Sequence, residues 1–251
     1  MIPKTIHYCW FGHNPLPPLA EKCIASWKKF MPDYEIIEWN EENFDVNIIP
    51  YTKDAYKAGK YAFVSDFARF WIIYNYGGVY FDTDVEVIRP MDDILERGPY
   101  MGFERDPKKN VDGLVNPGLG FAADKGNTII KKIIDYYETL AFTVNPETLK
   151  PTETIVQHTT KVLTENGLKK DSGTQNISGL YVYPTEYFAP IHFVSKKLHI
   201  TRHTHTIHRY MASWTGGKKP LIKKLRRILP EWMLIFYNRI KHPENYNQKQ
   251  S

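Results

Sequence analysis

The 251-residue chain reads as an α/β protein: a mostly parallel sheet flanked by helices, with a basic amphipathic helical tail at its C-terminus. Three observations predict this. Strand-like and helix-like stretches alternate along the first two hundred residues. Two aspartates, Asp82 and Asp84, follow the strand-forming run Val79-Tyr80-Phe81; open α/β sheets bind ligands at the carboxyl ends of their strands. Positive charge gathers after Lys218, where nine Lys/Arg stand against two Glu.

Thr5–Trp10 reads as a strand, Pro18–Phe30 as a helix, Tyr34–Trp39 as a second strand and Thr52–Gly59 as a short helix. The run Tyr61–Tyr76 has apolar residues at 63, 67, 70, 71 and 74, the spacing of an amphipathic helix. Gly77 stands where such a helix ends, and Gly77-Gly78 turn the chain into the Val79 strand. Strands are expected near Tyr100–Glu104, Leu119–Ala123 and Leu180–Tyr183, helices over Asn127–Leu140 and Glu153–Glu165, and a closing element over Ile207–Trp214. No internal repeat is present.

At this length the chain buries a sizeable core, so the reading is one catalytic domain over 1–217 and a tail over 218–251. Apolar content of 42% and aromatic content of 14% exclude a disordered chain. Cys9 and Cys23 are the only cysteines, which points to a reducing compartment and away from a disulfide framework. Met1-Ile2-Pro3-Lys4 leads straight into a strand-like run, so no cleaved leader is expected, and no window is apolar enough for a spanning helix. The net charge of +5 resolves into a tail near +7 and a body near −2, which argues against nucleic-acid binding.

An Asp-x-Asp pair at a strand end suits a hard cation such as Mn²⁺ or Mg²⁺, which shares its oxygen ligands with substrate phosphates. By itself the motif is short enough to arise as two solvated carboxylates closing a turn. Asp66 and Arg69 lie three apart on the preceding helix and so share a face. They read either as an internal ion pair or as a carboxylate for sugar hydroxyls with a guanidinium for phosphate.

Together, Ser65-Asp66-Phe67-Ala68-Arg69, Tyr76-Gly77-Gly78-Val79-Tyr80 and Asp82-Thr83-Asp84 resemble glycosyltransferase family 32, which includes yeast mannosyltransferases and bacterial capsule and lipopolysaccharide enzymes. They are also similar to the catalytic domains of large clostridial glucosylating toxins. The opening Ile2–Gly12, Ser26-Trp27, Pro32–Glu35 with Glu38-Trp39, and Thr206–Trp214 extend the resemblance over about residues 1–215. It implies a Rossmann-like sheet of the GT-A type and a metal-dependent, retaining transfer from a nucleotide-sugar donor. Asp84 is expected on the metal, Asp82 on metal or on ribose and sugar, Asp66 on donor hydroxyls and Arg69 on developing charge. Trp10 would stack on the nucleotide base, or pack in the core; Tyr80 would approach the donor sugar, or serve as strand packing. His208 or Ser213 would complete the metal or diphosphate shell, and Trp214 would cover the donor. Asn116 would reach a sugar, or end a turn before Pro117. The other histidines of that stretch, His199, His203 and His205, read as surface residues. No nucleophile is assigned: Asp66 and a front-face route without a covalent intermediate both stay open.

On a helical wheel Leu221, Leu225, Ile228, Leu229, Trp232 and Phe236 oppose Lys223, Lys224, Arg226 and Arg227, with Pro230 splitting the stretch. Such a tail suits an anionic membrane surface, or packs on the domain with a solvated basic face. The resulting expectation is a UDP-hexose donor, with GDP-mannose as alternative. The acceptor would be a lipid-linked glycan of capsule, exopolysaccharide or lipopolysaccharide assembly, and the enzyme cytoplasmic and peripheral on the inner face of the cell membrane. A toxin-like transferase acting on a host protein and a non-catalytic sugar-binding protein are the rivals.

Overall fold

The computed structural model describes residues 1–107, 112–144, 153–192 and 197–211. The tail over 218–251, and Ser213 and Trp214, lie outside the described residues. The chain opens with β1 (Thr5–Cys9), α1 (Pro18–Phe30) and β2 (Glu35–Trp39). There follow α2 (Pro50–Lys57), α3 (Tyr61–Tyr76), β3 (Gly78–Tyr80), β4 (Val85–Val87) and α4 (Asp92–Arg97). Next come β5 (Tyr100–Arg105), β6 (Leu114–Val115), a 3-10 turn (Pro117–Leu119), β7 (Phe121–Ala123), α5 (Thr128–Glu138) and α6 (Ile155–Glu165). β8 (Gln175–Ile177), β9 (Leu180–Tyr183), α7 (Thr185–Phe188) and β10 (Thr206–His208) complete the described elements.

The main sheet runs β2-β1-β3-β7-β5-β9-β8, with β6 paired to β5. β2, β1, β3, β5 and β9 point the same way; β7 and β8 run against them. The mostly parallel α/β fold expected from the sequence is therefore present, with one antiparallel strand inserted beside β3. Side chains alternate across the strands. Tyr80, Phe121, Ala123 and Met101 enter the core that holds α2, α3, α5 and α6 residues. Ile6, Tyr8, Val79, Phe81 and Ala122 enter a second core with Trp27 of α1, Ile94 of α4 and Phe188 of α7. The sheet is thus covered on both faces, which is what its continuous apolar strands require.

Local sequence sets the element ends. Pro18 and Pro50 start α1 and α2, where a missing N–H costs nothing. Asn127 Oδ1 caps α5 by accepting from Ile129 and Ile130. At the α3–β3 junction Gly78 is required, because a Cβ there would lie 2.6 Å from the Thr5 carbonyl oxygen. That close approach sets β3 against β1, in register His7 to Tyr80, and carries the chain on to Asp82 at the centre of the sheet.

A second, two-stranded ribbon of β4 and β10 lies beside the sheet, His208 paired with Val85. The closing element expected over 207–214 is this short strand as far as it is described. α1 anchors the ribbon: Trp27 Nε1 donates to the Val85 carbonyl at 2.7 Å, and Ser26 Oγ accepts from Val87 N–H at 3.0 Å. Among the described residues no helix is long and apolar enough to cross a membrane.

Candidate active site

Two clusters meet where β3 runs out. The first is built on α3. Arg69 is buried and holds two carboxylates: its Nη2 lies 3.0 Å from Asp66 Oδ1 and 3.2 Å from Asp82 Oδ1. Its Nε donates to the Ser65 carbonyl at 3.0 Å, which fixes the guanidinium plane. The Tyr80 ring lies 4.9 Å from that guanidinium, and the Tyr80 hydroxyl donates to Asp82 Oδ1 at 3.1 Å. The two sequence readings of Asp66 and Arg69 therefore merge. They form a buried ion pair, and the pair reaches the first aspartate of the Asp-x-Asp. Burial, opposed by Arg69 and reinforced by Asp82, holds the Asp66 carboxyl above the usual carboxylate range. Asp82 is raised for the same reason, with Arg69 again opposing.

The second cluster is built on the ribbon. His208 Nε2 lies 3.1 Å from Asp84 Oδ1, and Asp84 Oδ2 accepts from Met211 N–H at 2.7 Å. The β4–β10 pairing brings these residues together from far apart in sequence, and Arg209 N–H extends it by donating to the Asp84 carbonyl at 2.8 Å. Arg209 and Lys22 both bind Glu86, which ties the ribbon to α1. Burial works to raise Asp84, but His208 and the Met211 N–H outweigh it and hold the carboxyl below its ordinary value. Burial likewise opposes charge on His208, and Asp84 overrides it, raising the imidazole.

One candidate ligand atom each from Asp82, Asp84 and His208 falls within 4.8 Å of the others, the only such group among the described residues. Two carboxylates and an imidazole match the oxygen and nitrogen donors that Mn²⁺ accepts, so these residues fit a divalent cation. His208 Nδ1 is buried with no hydrogen-bond partner. Of the sequence candidates, Asp66, Arg69, Tyr80, Asp82, Asp84 and His208 are thus gathered at one place.

Asn116 lies beside them in a supporting position. Its Oδ1 accepts from Gly118 N–H at 2.7 Å and caps the 3-10 turn, as the turn reading expected. Gly118 was not singled out from sequence, yet it matters: a Cβ there would lie 2.5 Å from Asp82 Oδ2 and 3.5 Å from Arg69 Nη1. Trp10 follows Cys9, whose thiol lies beside Tyr80 and Arg69. Its half-buried indole donates from Nε1 to the Asn14 carbonyl at 2.6 Å. One expectation is corrected. His205, just before β10, is buried rather than at the surface, because it bonds Asp93 at 2.9 Å and stacks on Tyr187.

Residues 17–100, which contain Asp66, Arg69, Asp82 and Asp84, match the family model described as a glycosyltransferase sugar-binding region containing a DXD motif. Over this stretch the chain is similar to the DXD glycosyltransferases. Inositol phosphoceramide mannosyltransferase 3 of Schizosaccharomyces pombe is 31% identical over 148 residues, covering 56% of this chain and 38% of that protein. Subversion of eukaryotic traffic protein A of Legionella pneumophila is 25% identical over 164 residues, covering 55% of this chain and 25% of its own length. The chain thus spans between a quarter and two fifths of these relatives. Among solved structures, a PaToxG glycosyltransferase superposes with a TM-score of 0.47 at 19% identity, over 65% of this chain and 69% of that one.

Other motif residues act as scaffold. Tyr8 donates to Glu38 Oε2 at 2.6 Å and Trp39 Nε1 to His7 Nδ1 at 3.0 Å, which bolts β2 to β1. With Ser26 and Trp27 bound to the ribbon, these anchors fix the strands that present the aspartates.

Proposed function

We propose that this protein is a metal-dependent, retaining glycosyltransferase that moves a hexose from a nucleoside-diphosphate donor to a lipid-linked glycan. The observation that carries the reading is the meeting of Asp82, Asp84 and His208 with the Arg69–Asp66 pair at the end of the central strand. Asp82, Asp84 and His208 would hold Mn²⁺ or Mg²⁺, which when bound supplies Lewis-acid neutralisation of the diphosphate leaving group. Arg69 keeps Asp82 in place and offers positive charge beside it. Asp66 carries the remaining carboxylate oxygen for donor hydroxyls. Asn116 orders the turn that packs on Asp82, and Trp10 offers an indole face for the base. By the family resemblance, Ser213 would join the metal or diphosphate shell and Trp214 would cover the donor.

UDP-hexose is the expected donor, on the strength of Trp10 and the toxin resemblance. The names of the fission-yeast relatives favour a mannosyl group instead. The acceptor class, and a place in capsule, exopolysaccharide or lipopolysaccharide assembly at the inner face of the cell membrane, rest on the family resemblance and the basic tail. A second reading, modification of a host protein, draws support from the Legionella similarity. A donor-hydrolysis screen over UDP- and GDP-sugars with Mn²⁺ tests the proposal. One sugar nucleotide should be cleaved, and full activity in excess EDTA would overturn the metal role. Transfer to a purified host protein but not to lipid-linked glycan would select the second reading.

A further inference from the structure

The loop that presents Trp10 is held by a carboxylate that no motif includes. β1 and β2 end side by side, Cys9 opposite Trp39, and Trp10 N–H donates to the Trp39 carbonyl at 2.8 Å. The turns that follow, 10–14 and 40–44, therefore lie next to each other at the same sheet edge as Asp82. Gly12 N–H donates to Glu41 Oε1 at 2.7 Å. The Glu41 side chain is only 13% exposed, and the His13 ring lies 3.8 Å away on the solvent side. Burial alone would raise the Glu41 carboxyl, but the Gly12 N–H and neighbouring donors more than offset it, so the group stays ionised. On the other flank the Tyr61 ring packs where a Gly12 Cβ would be, 2.4 Å from the ideal position. Tyr61 opens α3, the helix that carries Asp66 and Arg69. Gly12 has φ 95°, which glycine alone adopts without strain. Phe11 turns into the core against Phe44, and Asn14 Nδ2 donates to the Gly12 carbonyl at 3.0 Å. The loop is thus clamped between Glu41 and α3, and Trp10 is its only large apolar side chain left half-exposed.

We infer that Glu41 is a positioning residue for nucleotide binding: through the Gly12 N–H it sets the loop that aims the Trp10 indole at the donor base. The inference rests on the donor reading above. It concerns the strength of nucleotide binding and assigns Glu41 no contact with the reacting atoms. Its measurable consequence is a loss in nucleotide Kd and donor KM that exceeds any loss in kcat. A merely structural carboxylate would lower Tm and leave the Kd of the folded protein alone.

The test uses the full chain and calorimetric titration of UDP and of GDP in the presence of Mn²⁺. Glu41→Ala and Glu41→Asp remove or withdraw the acceptor, and each should weaken binding about tenfold, the worth of one charge-assisted hydrogen bond. Glu41→Gln keeps a carbonyl oxygen for Gly12 and should stay within about threefold of wild type. Adding Glu41→Ala to Trp10→Ala should cost nothing further, since the first acts through the second. Should Glu41→Ala not fold, the contrast of Glu41→Asp with Glu41→Gln decides alone. Unchanged Kd in Glu41→Asp, equal losses in Asp and Gln variants, or additive losses with Trp10→Ala would each overturn the inference while leaving the donor reading intact. Wild-type protein that binds neither nucleotide would overturn both.

Discussion

Arg69 is the residue on which the site turns. It is buried, and its one positive charge is shared between Asp66 and Asp82. Arg69→Ala would leave the buried Asp66 carboxylate without its ion-pair partner and take from Asp82 its cation, so it should cost stability as well as turnover, about 3–5 kcal/mol by the usual price of breaking a buried pair. Urea denaturation of wild type and variant measures this; equal midpoints would mean that Arg69 serves only the reaction. Gly118 gives a cleaner separation. Gly118→Ala pushes a methyl against Asp82 Oδ2, which Arg69 and Tyr80 hold in place. Donor turnover should fall at least tenfold with a smaller loss of Tm than in Arg69→Ala, and wild-type kinetics in this variant would show that Asp82 has room to move. At this scale the sequence was readable where chemistry and spacing coincide. Asp66 and Arg69 share a helix face whatever the tertiary structure. Gly118 and His205 were not readable, because a glycine's importance depends on who packs against it and a histidine's burial on a helix 112 residues away that supplies Asp93.

At the scale of elements, the long helices α1, α3 and α5 announced themselves through period, caps and breakers. β4 did not: Val85-Glu86-Val87, directly after the Asp-x-Asp, is too short a run to stand out as a strand, and β10 and α1 complete it. The β1–β2–α3 junction supplies a prediction about pH. His7 is buried; its Nδ1 accepts from Trp39 and its Nε2 lies 3.0 Å from the Gly77 carbonyl. The ring is therefore neutral with its proton on Nε2, and a second proton would break the Trp39 bond. Burial pushes His7 down to about 4, the Gly77 bond opposing. Between pH 6.5 and 4 the unfolded chain takes up a proton that the folded chain refuses, so stability is lost as pH falls through this window. From pH 7 to pH 5 the loss from His7 amounts to about 2 kcal/mol. Denaturation of wild type and His7→Gln at the two pH values measures it: the variant should show the smaller drop by that amount, and parallel drops would mean that His7 does not titrate this way.

For the whole molecule, alternation of strands and helices was enough to predict a sheet covered on both faces, with the ligand edge at Asp82. The antiparallel β7 beside β3 was beyond sequence reasoning, since strand direction is fixed by connections rather than by local pattern. The charge division of the chain carries one prediction at this scale. Removing residues 218–251 should abolish sedimentation with anionic liposomes while donor hydrolysis persists, each basic residue near the surface contributing on the order of 1 kcal/mol. Equal sedimentation of both forms would rule the tail out as the anchor. The central claim is that Asp82, Asp84 and His208 hold a divalent cation for a nucleotide-sugar donor. It is tested most directly by titrating Mn²⁺ into metal-stripped protein with UDP and with GDP, for wild type and for Asp84→Ala. Nucleotide binding should be saturable and require Mn²⁺ in the wild type and vanish in a folded Asp84→Ala variant; binding of equal strength without the ion, or in the variant, would mean that these residues hold no such cation.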